Sequence, residues 1–154
     1  MRAVVVEDAP ELRDSIVAAL GSLGYTVDDA DSVWTFDMGV RRIATRPPPD
    51  LLLIDVMIPS EHPDMDGADL AKVARLTVPS AAIVVCSGVL RGDSSAAGRA
   101  RSAGAVFLEK PIGVRLLEVA IAEAGILAAK WSPDEGTAAR LDAYRAAVAG
   151  CHGR

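Results

Sequence analysis

Four short apolar runs constrain this chain most, because each stops on a polar residue. Ala3-Val4-Val5-Val6 runs into Glu7-Asp8, and Leu51-Leu52-Leu53-Ile54 runs into Asp55. Ala82-Ile83-Val84-Val85-Cys86 runs into Ser87, and Ala105-Val106-Phe107-Leu108 runs into Glu109-Lys110-Pro111. Continuous runs of this length, rich in Val and Ile, read as strands buried on both faces of a parallel sheet. In an open parallel sheet the carboxyl ends of the strands border one crevice, where ligands bind. Glu7, Asp8, Asp55, Ser87 and Lys110 are therefore expected to converge. Three carboxylates, a hydroxyl and an ammonium group can together hold a divalent cation and a phosphoryl group.

The segments between the runs read as helices. Asp8, Pro10 and Glu11 supply a cap, a first-turn proline and a capping-box spacing for helix one. Its buried stripe is Leu12, Ile16, Leu20 and Leu23, and Gly24 stops it. Tyr25 to Ala30 alternates and predicts a weak second strand at an edge of the sheet. Ser32 to Arg46 reads as helix two, ended by Pro47-Pro48-Pro49. Helix three is expected to run from Gly67 to about Thr77, helix four from Asp93 to Ala103, and helix five from about Val114. Five βα units in sequence predict a doubly wound α/β domain with a parallel five-stranded sheet.

The rest of the composition mainly excludes. The 154 residues suit one domain with a sizeable core, and 51% are hydrophobic. A net charge of −5 with scattered basic residues argues against direct nucleic-acid binding. Cys86 falls in a predicted buried strand and Cys151 in the tail, so no disulfide is expected. No signal peptide is apparent, and no stretch reaches the ~20 apolar residues of a membrane span. The expected location is cytoplasmic. Beyond Lys130, Ser132-Pro133-Asp134-Glu135 is a helix start, and Ala138, Leu141, Tyr144 and Val148 follow at helical spacing. The tail should form a sixth, amphipathic helix that packs on its own domain or joins two copies in a homodimer.

Several motifs, in this order, resemble the receiver domains of two-component response regulators. They are Val5-Val6-Glu7-Asp8, Leu53-Ile54-Asp55-Val56-Met57-Ile58-Pro59, Met65-Asp66-Gly67, Cys86-Ser87-Gly88 and Phe107-Leu108-Glu109-Lys110-Pro111. The resemblance covers roughly residues 1–129 as the receiver, leaving 130–154 as a C-terminal extension. It implies a flavodoxin-like sheet of order 2-1-3-4-5. It implies that Asp55 accepts a phosphoryl group from a sensor histidine kinase or a histidine phosphotransfer protein. Glu7, Asp8, Asp55 and the Met57 carbonyl would hold Mg²⁺. Ser87, Lys110 and the backbone N–H groups of Val56 and Gly88 would bind phosphoryl oxygens, and Phe107 matches a switching aromatic. A receiver of this kind signals through protein contacts and is not a turnover enzyme. Aspartate-nucleophile phosphatases need a second Asp two residues after the first, and Met57 stands there. A phosphorylation-independent binding module and a receiver cut from a longer regulator are the alternative readings. The chain departs from the family in its long Ser60-Glu61-His62-Pro63-Asp64 turn, in Glu7 for the commoner Asp, and in the extra tail helix.

Overall fold

A computed structural model describes residues 1–28, 31–88 and 94–132. Strands β1 (Ala3–Val6), β2 (Ser32–Val33), β3 (Leu51–Asp55), β4 (Ala82–Ser87) and β5 (Val106–Glu109) alternate with helices α1 (Pro10–Ser22), α2 (Phe36–Ile43), α3 (Gly67–Thr77), α4 (Ser94–Ser102) and α5 (Val114–Lys130). All neighbouring strands pair in parallel, in the order β2-β1-β3-β4-β5. The three central strands are buried along their whole length. Their side chains alternate between two cores, which is why both faces had to be apolar. Val4, Val6, Leu52, Ile54, Ile83 and Val85 face α2, α3 and α4. Ala3, Val5, Leu51, Leu53, Val84 and Cys86 face α1 and α5.

Two expectations are corrected at the sheet edge. The second strand lies at Ser32–Val33, not at Tyr25 to Ala30, where the described residues contribute only an isolated bridge from Thr26 to Arg2. Helix α2 accordingly starts at Phe36 and not at Ser32, with the Thr35 hydroxyl accepting from the Met38 N–H. Val33 fits the helical spacing of Phe36, Val40 and Ile43, yet it reaches the same core from a strand whose carbonyl accepts the Glu7 N–H at 3.0 Å. The edge is anchored by charge: Asp31, fully buried, receives hydrogen bonds from Arg2 and Arg42. Burial alone would push the Asp31 pKa up, but the two guanidinium groups hold it below the ordinary carboxylate value.

Helix starts and stops follow from local chemistry. Pro10 opens α1 as expected, but the N-cap is Ala9, which makes no side-chain cap bond. Asp8 therefore does not cap α1, and its carboxylate is exposed. Gly24 and Gly104 end the turns after α1 and α4 with φ of 86° and 63°, values that favour glycine. Arg75 secures the far end of the molecule. It is 1% exposed, and its guanidinium donates to the carbonyls of Ala103, Pro79, Ala81 and Gly104 at 2.6–3.0 Å. The Trp131 ring lies 5.8 Å from its Cζ and also contacts the space beside Gly104, so Trp131 is a packing residue. The tail residues Ala138, Leu141, Tyr144 and Val148, and Cys151, lie outside the described residues.

Candidate functional site at the strand ends

The parallel register brings the polar strand ends together. Asp55 pairs with Cys86, one residue before Ser87, and Ser87 pairs with Glu109, one residue before Lys110. The Lys110 N–H donates to the Ser87 carbonyl at 2.8 Å, continuing the ladder by one residue. The Lys110 side chain then turns inward. Its Nζ lies 2.8 Å from Glu7 Oε2 and 3.0 Å from Asp55 Oδ2. Carboxylate oxygens of Glu7, Asp8 and Asp55 lie within 4.8 Å of one another.

Glu7 and Asp55 are nearly inaccessible, at 1% and 5% exposure, whereas Asp8 is exposed at the mouth. Glu7 Oε1 accepts the Ala9 N–H at 3.1 Å, which fixes its carboxylate in the turn before α1. Burial pushes the Asp55 carboxyl above the ordinary Asp value, and the hydrogen bond from Lys110 only partly offsets it. For Lys110, burial works downward, but hydrogen bonds to Glu7 and Asp55 outweigh it and raise the pKa. The site is thus a buried carboxylate pair clamped by one ammonium group, with a third carboxylate at the rim.

The backbone around Asp55 refines the expected donor set. Val56 N–H is committed to the Cys86 carbonyl at 2.8 Å, so it belongs to the sheet and does not point into the site. The Met57 N–H instead faces the carboxylate, 3.2 Å from Asp55 Oδ1. Gly88 is exposed at the rim, and its Cα–H edge lies beside the Lys110 stem, where an added Cβ would stand 3.9 Å from Cδ. Ser87 is buried at the end of β4. Phe107 is half-buried; it packs against the α2–α3–α4 core and lines a surface groove with Arg101, Glu123 and Leu127. His62 is a loop histidine, 3.7 Å from Asp37 and edge-on to Phe36, so the long turn rests on α2.

Four supporting residues were not singled out from the sequence for the contacts they make. Gly67 packs so closely on β3 that a Cβ there would stand 1.8 Å from the Asp55 carbonyl oxygen. Its N–H donates to the Val56 carbonyl at 3.0 Å. Asp66 caps α3 in a reciprocal capping box with Asp69. Arg13 donates to the Glu7 carbonyl at 2.9 Å while lying 5.1 Å over the exposed Trp34 ring. Arg99 of α4 reaches both Asp66 and Asp69. The Asp66-Gly67 dipeptide was a readable signal. The two arginines leave none: the partners of Arg99 are distant in the chain, and Arg13 reaches back only six residues, but to a backbone carbonyl that any residue carries.

The response regulator receiver domain model matches residues 3–122, so the chain belongs to the response regulator receiver domain family. Members of this family are phosphorylated on an aspartate and bind Mg²⁺ at an acidic pocket. They interact with histidine kinases or phosphotransfer proteins, and some dimerise. Among solved structures, the chain is similar to a CheY-like receiver domain protein from Methanospirillum hungatei, at 25% identity and a TM-score of 0.69, over 84% of this chain and 96% of that one. It is similar to NtrX from Brucella abortus at 26% identity and a TM-score of 0.67, over 84% of this chain but 28% of that one. A response regulator from Burkholderia pseudomallei shares the fold at 20% identity and a TM-score of 0.66, over 84% of this chain and 71% of that one; its structure holds a phosphorylated aspartic acid and a calcium ion. Curated proteins give no match. Among the described residues, no helix is long and apolar enough to cross a membrane.

Proposed function

We propose that Asp55 is the phosphoacceptor of a cytoplasmic signalling receiver, supplied by a histidine kinase or a histidine phosphotransfer protein. The observation that carries this reading is the clamp. Among the described residues, Asp55 is the one carboxylate at a strand end that faces both Lys110 and the backbone N–H of Met57. In the transfer, a carboxylate oxygen of Asp55 bonds to phosphorus as the P–N bond of the phosphohistidine breaks, and the electron pair leaves with the imidazole. The protein's part is positioning and charge neutralisation. Lys110 remains as a fixed positive charge beside the acceptor. Ser87 and the Gly88 N–H stand at the adjoining strand end for further phosphoryl oxygens.

The residues fit a small hard cation. Glu7, Asp8 and Asp55 offer three oxygens in one cluster, the donor set that Mg²⁺ prefers, and the Met57 carbonyl is the fourth candidate. Bound there, the ion would neutralise carboxylate and phosphoryl charge. The chain acts on itself and not on a second substrate, since Met57 cannot serve as a second acid. Output runs through the α4–β5–α5 side, where Leu116, Val119 and Ile126 of α5 are exposed near the groove lined by Phe107.

Intact-mass analysis after treatment with a small phosphodonor and Mg²⁺ tests the assignment. The wild-type chain should gain one phosphoryl group, and excess chelator should suppress the gain. Asp55→Asn should abolish it; labelling of that variant at the wild-type level would remove Asp55 from its role. A second readout carries a definite sign. A carboxyl whose folded-state pKa lies above its unfolded value costs stability while ionised. That cost is present at neutral pH and fades as pH falls through the folded value. Asp55→Asn should therefore melt higher than wild type at pH 7, with the gap narrowing in acid.

A further inference from the structure

Helices α3 and α4 pack through small residues and are tied at their C-terminal ends by Arg75; near the candidate acceptor they are joined by a forked contact. Arg99 Nη2 lies 2.7 Å from Asp66 Oδ2, and Arg99 Nη1 lies 2.9 Å from Asp66 Oδ1 and 2.8 Å from Asp69 Oδ2. This is bidentate pairing with one carboxylate plus a bridge to a second, the geometry in which a guanidinium fixes direction as well as distance. Both carboxylates already have work to do. Asp66 Oδ1 accepts the Ala68 and Asp69 N–H groups, and Asp69 Oδ2 accepts the Asp66 N–H. The fork therefore holds the first turn of α3 by its cap.

That first turn is rigidly tied to the acceptor. Gly67 follows Asp66 and lies directly against the Asp55 carbonyl, bonded to Val56. On the other side, Arg99 belongs to α4, the helix that follows Ser87 and Gly88 in the chain. An unbroken series of contacts thus runs from α4 through Arg99, Asp66 and Gly67 to Asp55. Arg99 touches none of the reacting groups itself.

We propose that Arg99 is a positioning residue for phosphorylation: from α4 it holds the capped first turn of α3, and with it the Asp55 backbone that Gly67 abuts. The proposal rests on Asp55 being the acceptor. Without the fork, the first turn of α3 loses its outer restraint and can shift against the end of β3, and small misplacements at a transfer site are costly in rate. Substrate contacts are untouched, so the loss falls on the maximal rate and not on the phosphodonor concentration that half-saturates it.

The test measures phosphorylation by a small phosphodonor with Mg²⁺ in wild type, Arg99→Ala, Arg99→Lys and a control, Ile43→Val, which thins the core under α2 away from the fork. Arg99→Ala should lower the maximal rate about tenfold or more, with half-saturation unchanged. Arg99→Lys should recover part of the loss, and Ile43→Val should react at the wild-type rate. Amide resonances of Asp55, Met57 and Gly67 should move in both Arg99 variants and stay in place in the control. Should Arg99→Ala fail to fold, the rate and resonances of Arg99→Lys decide alone. Wild-type rates and resonances in the Arg99 variants, whatever their melting temperatures, would overturn the proposal while Asp55-dependent labelling stood. Absence of Asp55-dependent labelling in wild type would instead remove the acceptor assignment on which it rests.

Discussion

Arg75→Ala is expected to cost about 4 kcal/mol of stability, a large loss for a side chain outside the apolar core. The guanidinium satisfies four backbone carbonyls from two turns, and among the described residues it pairs with no carboxylate. Removing it strands those oxygens where water is largely excluded, at about 1–3 kcal/mol for each one fully buried, and it leaves a void under Trp131. Burial holds the Arg75 pKa below its usual value, but the group stays charged at any practical pH. Among the described residues, its charge is balanced by carbonyl dipoles and the face of the Trp131 ring. Lysine has three donors on one nitrogen and cannot span partners in the Ala81 and Gly104 directions at once, so Arg75→Lys should recover only a minor share. Denaturant midpoints measure both. A loss below about 1 kcal/mol for Arg75→Ala would show that the carbonyls find other partners.

Gly67→Ala should be nearly as damaging, and its damage should reach the chemistry. The added Cβ would meet the Asp55 carbonyl oxygen at 1.8 Å, the Asp55 carbonyl carbon at 2.6 Å and the Val56 Cα at 2.9 Å. All three are backbone atoms, so no side chain can swing aside. Either α3 lifts from β3, or the end of β3 shifts. Lifting breaks the Gly67–Val56 hydrogen bond and loosens the packing of Ala68, Leu70 and Ala71, which are fully buried. A cost of about 3 kcal/mol follows from overpacking against rigid neighbours. In any fraction that still folds, the Asp55 carboxylate is displaced from Lys110 by a distance on the order of 1 Å, enough to slow phosphoryl transfer roughly a hundredfold. Thermal melts and phosphorylation rates read the two effects separately. A variant with wild-type values of both would mean that the close approach imposes nothing.

The strands that build the site were legible because burial on two faces leaves no room for polar residues. The four apolar runs correspond to β1, β3, β4 and β5 to within a residue, and their register delivers Glu7, Asp55, Ser87 and Lys110 to one end. The edge was not legible in the same way. A strand of two residues carries no period, so Ser32–Val33 was absorbed into the helical spacing that follows it, and the alternation at Tyr25 and Val27 suggested pairing that amounts to one bridge. The cap expected from Asp8 failed because that carboxylate is directed to the acidic cluster and not to the α1 backbone. The donor expected at Val56 failed because the ladder between β3 and β4 extends one residue further and consumes it. Arg99 acts wholly, and Arg75 in part, on partners far away in sequence, while Arg13 and the rest of Arg75 reach backbone carbonyls, which carry no residue signal. Their importance lies in where a guanidinium can reach once the fold exists, and no local pattern encodes it.

Cys86 gives the domain an internal stopwatch. Its thiol is completely buried on the α1–α5 side of the central sheet, beside the strand that carries Asp55, and burial has pushed its pKa up to about 12. A thiol in that state does not react with alkylating reagents, since only the thiolate attacks them. It becomes competent when β4 leaves the sheet and water enters. With Cys151 replaced by Ser, the alkylation rate of the single remaining thiol would count the openings of the innermost strand pair. Measured with Asp55 free and with Asp55 phosphorylated, that count would register how tightly the adduct cinches the sheet behind it, from a residue that takes no part in the transfer.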